Sequence, residues 1–189
     1  MKIRESGMPP EKTWRLFFNS EEILNKMYFD KNIKDTVEFG SGYGTFTIPA
    51  ASIISGNVYA LDVDSEMMKI LQTKIDELSI SNIKIIQIDF MSNGSGLEND
   101  SFDYVMLFNI LHAEEPMKLL NEAFRILRKN GKIGIIHWIN SPDTPRGPSM
   151  KIRPTEKQCI RWLKAANFDI VEEPFSLPPY HYGIIGIKL

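Results

Sequence analysis

The chain has 189 residues, 43% of them hydrophobic, and a formal net charge of −2. That length supplies one well-buried domain and is too short for two of ordinary size. Its 22 Lys and Arg are balanced by 24 Asp and Glu and scattered along the chain, so there is no basic footprint of a phosphate-backbone binder and a nucleic-acid partner is disfavoured.

The single cysteine, Cys159, has no partner for an internal disulfide. No apolar run approaches the length of a membrane span, and "MKIRESGMPPEK" lacks the apolar centre of a signal peptide. The expectation is a cytoplasmic protein without membrane insertion.

In chain order, "PPEKTWRLFFNSEEILNKMYF" predicts one or two helices with an aromatic face at Trp14, Phe17 and Phe18. This is a helical extension over residues 1–32, placed on a single core of residues 33–189. Five β-rich runs follow: "TVEFG" (36–40), "NVYALDVD" (57–64), "IKIIQIDF" (83–90), "FDYVMLFN" (102–109) and "KIGIIHWI" (132–139). Helix-period stretches or turn signals separate them, and strand alternating with helix predicts a parallel sheet covered on both faces.

"SEMMKILQTKIDELSI" puts Met68, Leu71, Ile75 and Leu78 on one helical face, with Asp64 placed to cap its start. "EEPMKLLNEAFRILRKNG" has Pro116 near its start, Arg128 and Lys129 in its expected last turn and Gly131 just past its end. "TEKQCIRWLKAANF" opens with a capping box, Thr155 with Gln158, and places Cys159 on the apolar side of its helix as a buried structural thiol. Finally, "IVEEPFSL" and "YGIIGIKL" flank "PPYH", a link too short for a parallel crossover, so the chain closes with an antiparallel pair. The predicted fold class is α/β, a doubly wound, Rossmann-like sheet.

The chemistry concentrates in "VEFGSGYGTFTIPA", residues 37–50. Gly40, Gly42 and Gly44 stand where a strand turns into a helix, a place for backbone N–H groups and a helix N-terminus to meet a polar ligand. The dinucleotide fingerprint G-x-G-x-x-G would need glycine at position 45, which is Thr45. Asp62 ends the second strand, 22 residues after Gly40, where a carboxylate can accept both hydroxyls of a ribose, and Asp89 ends the third. In a doubly wound sheet these residues and Asn109 converge at the topological switch point.

With its acidic-x-G-x-G-x-G loop "VEFGSGYG", its "ALDVD" strand end, its "IDF" segment and its "LFNILH" segment, the chain resembles the class I S-adenosylmethionine-dependent methyltransferases, within the group that includes quinone-biosynthesis enzymes. The resemblance covers roughly residues 33 to 140. It implies a seven-stranded sheet whose last strand is antiparallel, and S-adenosylmethionine as cofactor. It further implies that Glu38, Gly40 and Gly42 surround the amino-acid end of the cofactor, that Ser41 and Gly44 belong to the same cofactor-binding loop, and that Asp62 takes the ribose. Val63 and Met67 would then meet the adenine face, Asp89 with Phe90 its edge, and Asn109 the sulfonium.

"LPPYHY" has the look of the Pro-Pro-Tyr motif of amino-group methyltransferases, but that motif belongs after the fourth strand. Pro178, Pro179 and Tyr180 are therefore read as hairpin residues, which counts against a nucleobase amino group as acceptor. No pair among His112, His137 and His181 has helical metal-ligand spacing, so no metal is expected. His137 and His112 lie near strand ends where either could border the pocket and serve as general base. "NSPDTPRGPSMKIRPT" (140–155) is a functional-loop candidate, and its Arg146 and Arg153 would recognise an anionic group on a small molecule.

These readings converge on methyl transfer to a small metabolite. The alternatives are a nicotinamide-dependent oxidoreductase, which Thr45 and the lack of a Tyr-x-x-x-Lys pair disfavour, and a non-catalytic cofactor-binding regulatory domain.

Overall fold

A computed structural model describes residue 3 and residues 8–189. The chain enters through a short helix α1 (Glu11–Trp14), a 3-10 turn (Arg15–Phe17) and α2 (Ser20–Lys26). The core then runs β1 (Thr36–Phe39), α3 (Thr47–Ile53), β2 (Val58–Asp62), α4 (Ser65–Glu77), β3 (Ile83–Gln87), α5 (Phe90–Asn93) and β4 (Phe102–Phe108). It ends with α6 (Pro116–Ile126), β5 (Leu127–Trp138), α7 (Glu156–Ala165), β6 (Asp169–Leu177) and β7 (His181–Ile187).

The seven strands form one sheet in the order β3-β2-β1-β4-β5-β7-β6. β7 lies antiparallel to both of its neighbours, and the pairings among β1 to β5 are parallel. The doubly wound sheet and its antiparallel last strand are thus as expected.

Strand pleating splits the core between the two faces of the sheet. Along β4, Val105 and Leu107 join the cluster that α6 and α7 cover, while Tyr104, Met106 and Phe108 join the one covered by α2 and α3. The Tyr104 hydroxyl donates to the Met27 carbonyl at 2.8 Å, which ties the end of α2 to the sheet. Met68, Leu71 and Ile75 of α4 form a third cluster with Ala60, and Leu78 is exposed.

Helix ends follow local chemistry. Asp64 caps α4 by accepting from the Glu66 N–H, and α7 carries the Thr155–Gln158 capping box. α6 ends earlier than its basic residues suggested. Leu127 is already extended (φ −68°, ψ 136°), fully buried and paired with Phe102, so Arg128 and Lys129 stand on the extended entry to β5 and Arg125 is the basic residue of the last helical turn. Tertiary pairing of a buried leucine outweighs the helical preference of the residues after it.

Candidate functional site

The order of strands reverses at the β1/β4 boundary, and a cavity of about 470 Å³ opens there beyond the carboxyl ends of β1, β2, β4 and β5. Its floor is the turn from β1 into α3. Gly40 and Gly44 both adopt φ +77°, and a Cβ would lie 2.9 Å from Ile110 Cδ1 at the first and 2.5 Å from Leu71 Cδ1 at the second. The left-handed backbone and the close neighbours each call for glycine.

Two carboxylates face this floor. Asp62 accepts from the Gly42 N–H at 2.9 Å through Oδ2 and from the Asp64 N–H at 3.0 Å through Oδ1. A carboxylate has about four acceptor sites, so each oxygen keeps capacity for a further donor. Glu38 is buried and accepts from the Thr47 hydroxyl. Burial drives its pKa up to about 8, with the Thr47 hydrogen bond opposing the rise and the nearby Asp62 charge adding to it.

Ser41 Oγ, Thr45 Oγ1 and both side-chain polar atoms of Asn109 are buried without a hydrogen-bond partner, and all three residues line the cavity. Asn109 also holds φ +56° at the end of β4, an unusual backbone for a non-glycine residue. Such unpaired groups cost stability unless a ligand meets them. Val63, Met67 and Phe90 supply apolar lining on the same side. The arrangement can hold a ligand that carries a cationic end, hydroxyls and a flat apolar part.

The expected site residues separate into those that line the cavity and those that support it. Glu38, Gly40, Ser41, Asp62, Val63, Met67, Phe90, Asn109, His112 and Arg146 line it. Gly42 and Gly44 do not, and Gly42 instead supports the site by giving its N–H to Asp62. Asp89 is likewise outside the lining. Its carboxylate caps α5, accepting from the Ser92 N–H at 3.2 Å and the Ser92 hydroxyl at 2.9 Å, and this turns Phe90 into the cavity wall.

The two candidate base histidines are neighbours. His112 Nδ1 lies 3.3 Å from His137 Nε2, with His112 at the cavity and His137 fully buried behind it. Burial, then the adjacent His112, pushes the His137 pKa well below its ordinary value, so this ring is neutral.

Arg153 departs from its expected role at the acceptor. It is buried, and its guanidinium donates to the carbonyls of Pro148 at 2.8 Å and Ile139 at 2.8 Å and to the Thr144 hydroxyl at 2.7 Å. Those bonds fold the 139–153 loop around one cation and place Arg146, Gly147 and Pro148 along the cavity. The cation serves the loop's own carbonyls, which burial leaves without water.

Several contributors escaped the sequence reading. Thr47 lies nine residues from Glu38 with no local pattern linking them. Tyr43, Phe108 and Trp138 line the cavity, as do Met8 and Pro9 ahead of α1. The Tyr43 hydroxyl donates to the Pro9 carbonyl at 3.2 Å, and Lys74 joins Glu11 at 2.6 Å to the Tyr43 carbonyl at 2.7 Å. Cys159 is buried, its pKa pushed up to about 12 chiefly by burial, as suits a structural thiol.

Residues 37–135 match the model of a family described as a methyltransferase domain. A demethylmenaquinone methyltransferase of Geobacillus sp. (strain WCH70) is 28% identical over 116 residues, which are 60% of this chain and 48% of that protein. A second, from Anoxybacillus flavithermus (strain DSM 21510 / WK1), is 26% identical over the same length and the same shares. The chain thus spans about half the length of the curated relatives it matches. Among solved structures, a SAM-dependent methyltransferase from Aquifex aeolicus aligns with a TM-score of 0.84 at 21% identity, over 97% of this chain and 100% of that one.

Proposed function

This chain belongs to the methyltransferase domain family, and from that premise we propose that it transfers the methyl group of S-adenosylmethionine to a small-molecule acceptor. The observation that carries this reading is the pairing of two carboxylates, Glu38 and Asp62, with the unpartnered polar groups of Ser41, Thr45 and Asn109 around one cavity at the switch point of the sheet. These are the groups a ligand with an ammonium, a ribose and a base requires.

When bound, S-adenosylmethionine supplies an electrophilic methyl on a sulfonium. The chain's part is to bind and align. Glu38 would take the ammonium of the amino-acid end, which would favour its ionised form and oppose the burial that keeps it protonated. Asp62, already oriented by two backbone N–H groups, accepts the ribose hydroxyls. Val63, Met67 and Phe90 would hold the adenine, with Asp89 fixing Phe90 through the cap of α5, and the Asn109 amide would serve the sulfonium end.

On the acceptor side, His112 takes the proton of an acceptor that must lose one, and the neutral His137 ring behind it fixes its orientation. Arg146 meets an anionic group on the acceptor, and Arg153 holds the loop that presents Arg146.

Incubating the protein with methyl-labelled S-adenosylmethionine and a deproteinised cell extract tests this. Label should pass into the small-molecule fraction. Transfer only to added protein or nucleic acid would contradict the small-molecule acceptor, and binding without transfer to any fraction would favour a regulatory domain.

A further inference from the structure

Glu38, which lines the cavity, is held there by a residue that does not. Thr47 is the first residue of α3 and fully buried, and its hydroxyl donates to Glu38 Oε2. Among the described residues no other group hydrogen-bonds to that carboxylate, so Oε1 keeps its acceptor capacity.

A threonine beside a helix start commonly uses its oxygen locally, on the unpaired N–H groups of the first turn. Phe46, the N-cap of α3, supplies no such side-chain bond, yet Thr47 reaches across the glycine turn to β1, nine residues back. Packing alone does not call for this pair, since burying a carboxylate is unfavourable even with one hydrogen bond.

The surroundings of Glu38 do not replace the contact. Glu38 is flanked in the sheet by Ala60 of β2 and Met106 of β4, neither of which titrates. The titratable groups that share its cavity are Tyr43, Asp62, Asp64, His112 and Arg146. Burial opposes ionisation of Glu38 most strongly, the Thr47 hydroxyl favours it, and the Asp62 charge opposes it. Among the described residues, Thr47 is thus the neighbour that holds Glu38 toward its charged form.

We infer that Thr47 is a positioning residue of the cofactor site: its hydroxyl fixes one Glu38 oxygen to α3, leaves the other for the cavity, and readies the carboxylate for the cationic end of S-adenosylmethionine. This rests on the methyltransferase reading above, which assigns an ammonium to Glu38.

The test is the pH profile of S-adenosylhomocysteine binding to wild type, Thr47→Val and Thr47→Ser, measured by isothermal titration. Valine keeps the shape of threonine without the hydroxyl, and serine keeps the hydroxyl. An ammonium prefers the ionised carboxylate, so wild-type affinity should rise from about pH 6 toward pH 8, where Glu38 ionises in the free protein. In Thr47→Val that rise should move to higher pH. Binding near pH 7 should then be about tenfold or more weaker, the loss of a hydrogen bond to a charged group, and should approach wild type above the displaced midpoint. Thr47→Ser should follow the wild-type profile. Methylthioadenosine, which has the ribose and adenine but no ammonium, should bind all three proteins alike, which also reports that they are folded. A loss that is equal at every pH, is shared by methylthioadenosine or persists in Thr47→Ser would make Thr47 merely structural and overturn the inference, as would no loss at all. Failure of S-adenosylhomocysteine to bind wild type would count instead against the methyltransferase reading. NMR titration of the Glu38 carboxyl in the ligand-free proteins then decides: a midpoint raised in Thr47→Val and restored in Thr47→Ser supports the positioning role, and an unchanged midpoint overturns it.

Discussion

At Glu38, burial and the neighbouring Asp62 carboxylate oppose ionisation while the Thr47 hydroxyl favours it, and the balance raises the pKa from 4.5 to about 8. A carboxyl group whose pKa is raised on folding stabilises the fold fully below its unfolded pKa and loses that contribution as pH rises through the folded value. The ligand-free protein is therefore expected to lose thermal stability between about pH 4.5 and 8, with a flatter profile for Glu38→Gln, measurable by scanning calorimetry. Because an ammonium favours the ionised form, S-adenosylhomocysteine binding near pH 7 should release protons in wild type and not in Glu38→Gln, as titrations in buffers of different ionisation enthalpy would show. A wild-type profile that coincides with that of Glu38→Gln would remove the electrostatic role.

Asp62 and Asp64, two residues apart, separate binding from capping. Asp62→Ala should weaken S-adenosylhomocysteine binding by about tenfold or more, the loss of charge-assisted hydrogen bonds worth roughly 1.5 to 3 kcal/mol each. Asp64→Ala should cost about 1 kcal/mol of stability through the cap of α4 with little effect on affinity. Equal affinities for the two variants would place the ribose elsewhere. The cap at Asp64 was legible in the sequence, as was the position of Asp62 at a strand end beside the glycine turn. The Thr47 contact to Glu38 was not, because it depends on how α3 docks over β1.

Among the elements, the 139–153 loop differs most from its sequence reading. A proline- and glycine-rich connection with several cations suggested a flap carrying two substrate-binding arginines. The direction in which a guanidinium turns depends on which carbonyls burial leaves without water, and here those of Ile139 and Pro148 surround Arg153. Arg153→Met should accelerate amide hydrogen exchange across residues 139–153 by about tenfold or more, the loss of several hydrogen bonds to a charged group, while leaving S-adenosylhomocysteine affinity near wild type. Unchanged exchange would show that the loop is held by other contacts. The end of α6 was misjudged for a related reason. Arg128 and Lys129 fit a helical last turn, and only the pairing of Leu127 with Phe102 stops the helix at Ile126.

In the whole molecule, the alternation of apolar runs with helix-period segments was enough to read the parallel sheet, and the short "PPYH" link enough to read the antiparallel β7. The strand order, and with it the switch point between β1 and β4, arises because the chain steps outward from β1 through β2 to β3 and then returns to place β4 on the other side of β1. That topology brings Gly40, Asp62 and Asn109 to one cavity from three strand ends, as their positions in the chain suggested. One aromatic cluster came together less predictably. Trp14 and Phe18 lie far in the chain from Trp138 and His181, and only the packing of the N-terminal segment against the paired ends of β5 and β7 brings them together.

The central claim is that this cavity is an S-adenosylmethionine site and not a dinucleotide site. Isothermal titration of the ligand-free protein with S-adenosylhomocysteine and, separately, with NAD tests it most directly. Saturable one-to-one binding of S-adenosylhomocysteine, weakened in Asp62→Ala, with no heat from NAD, is the predicted result. Binding of NAD alone, or S-adenosylhomocysteine binding that is indifferent to Asp62, would contradict it.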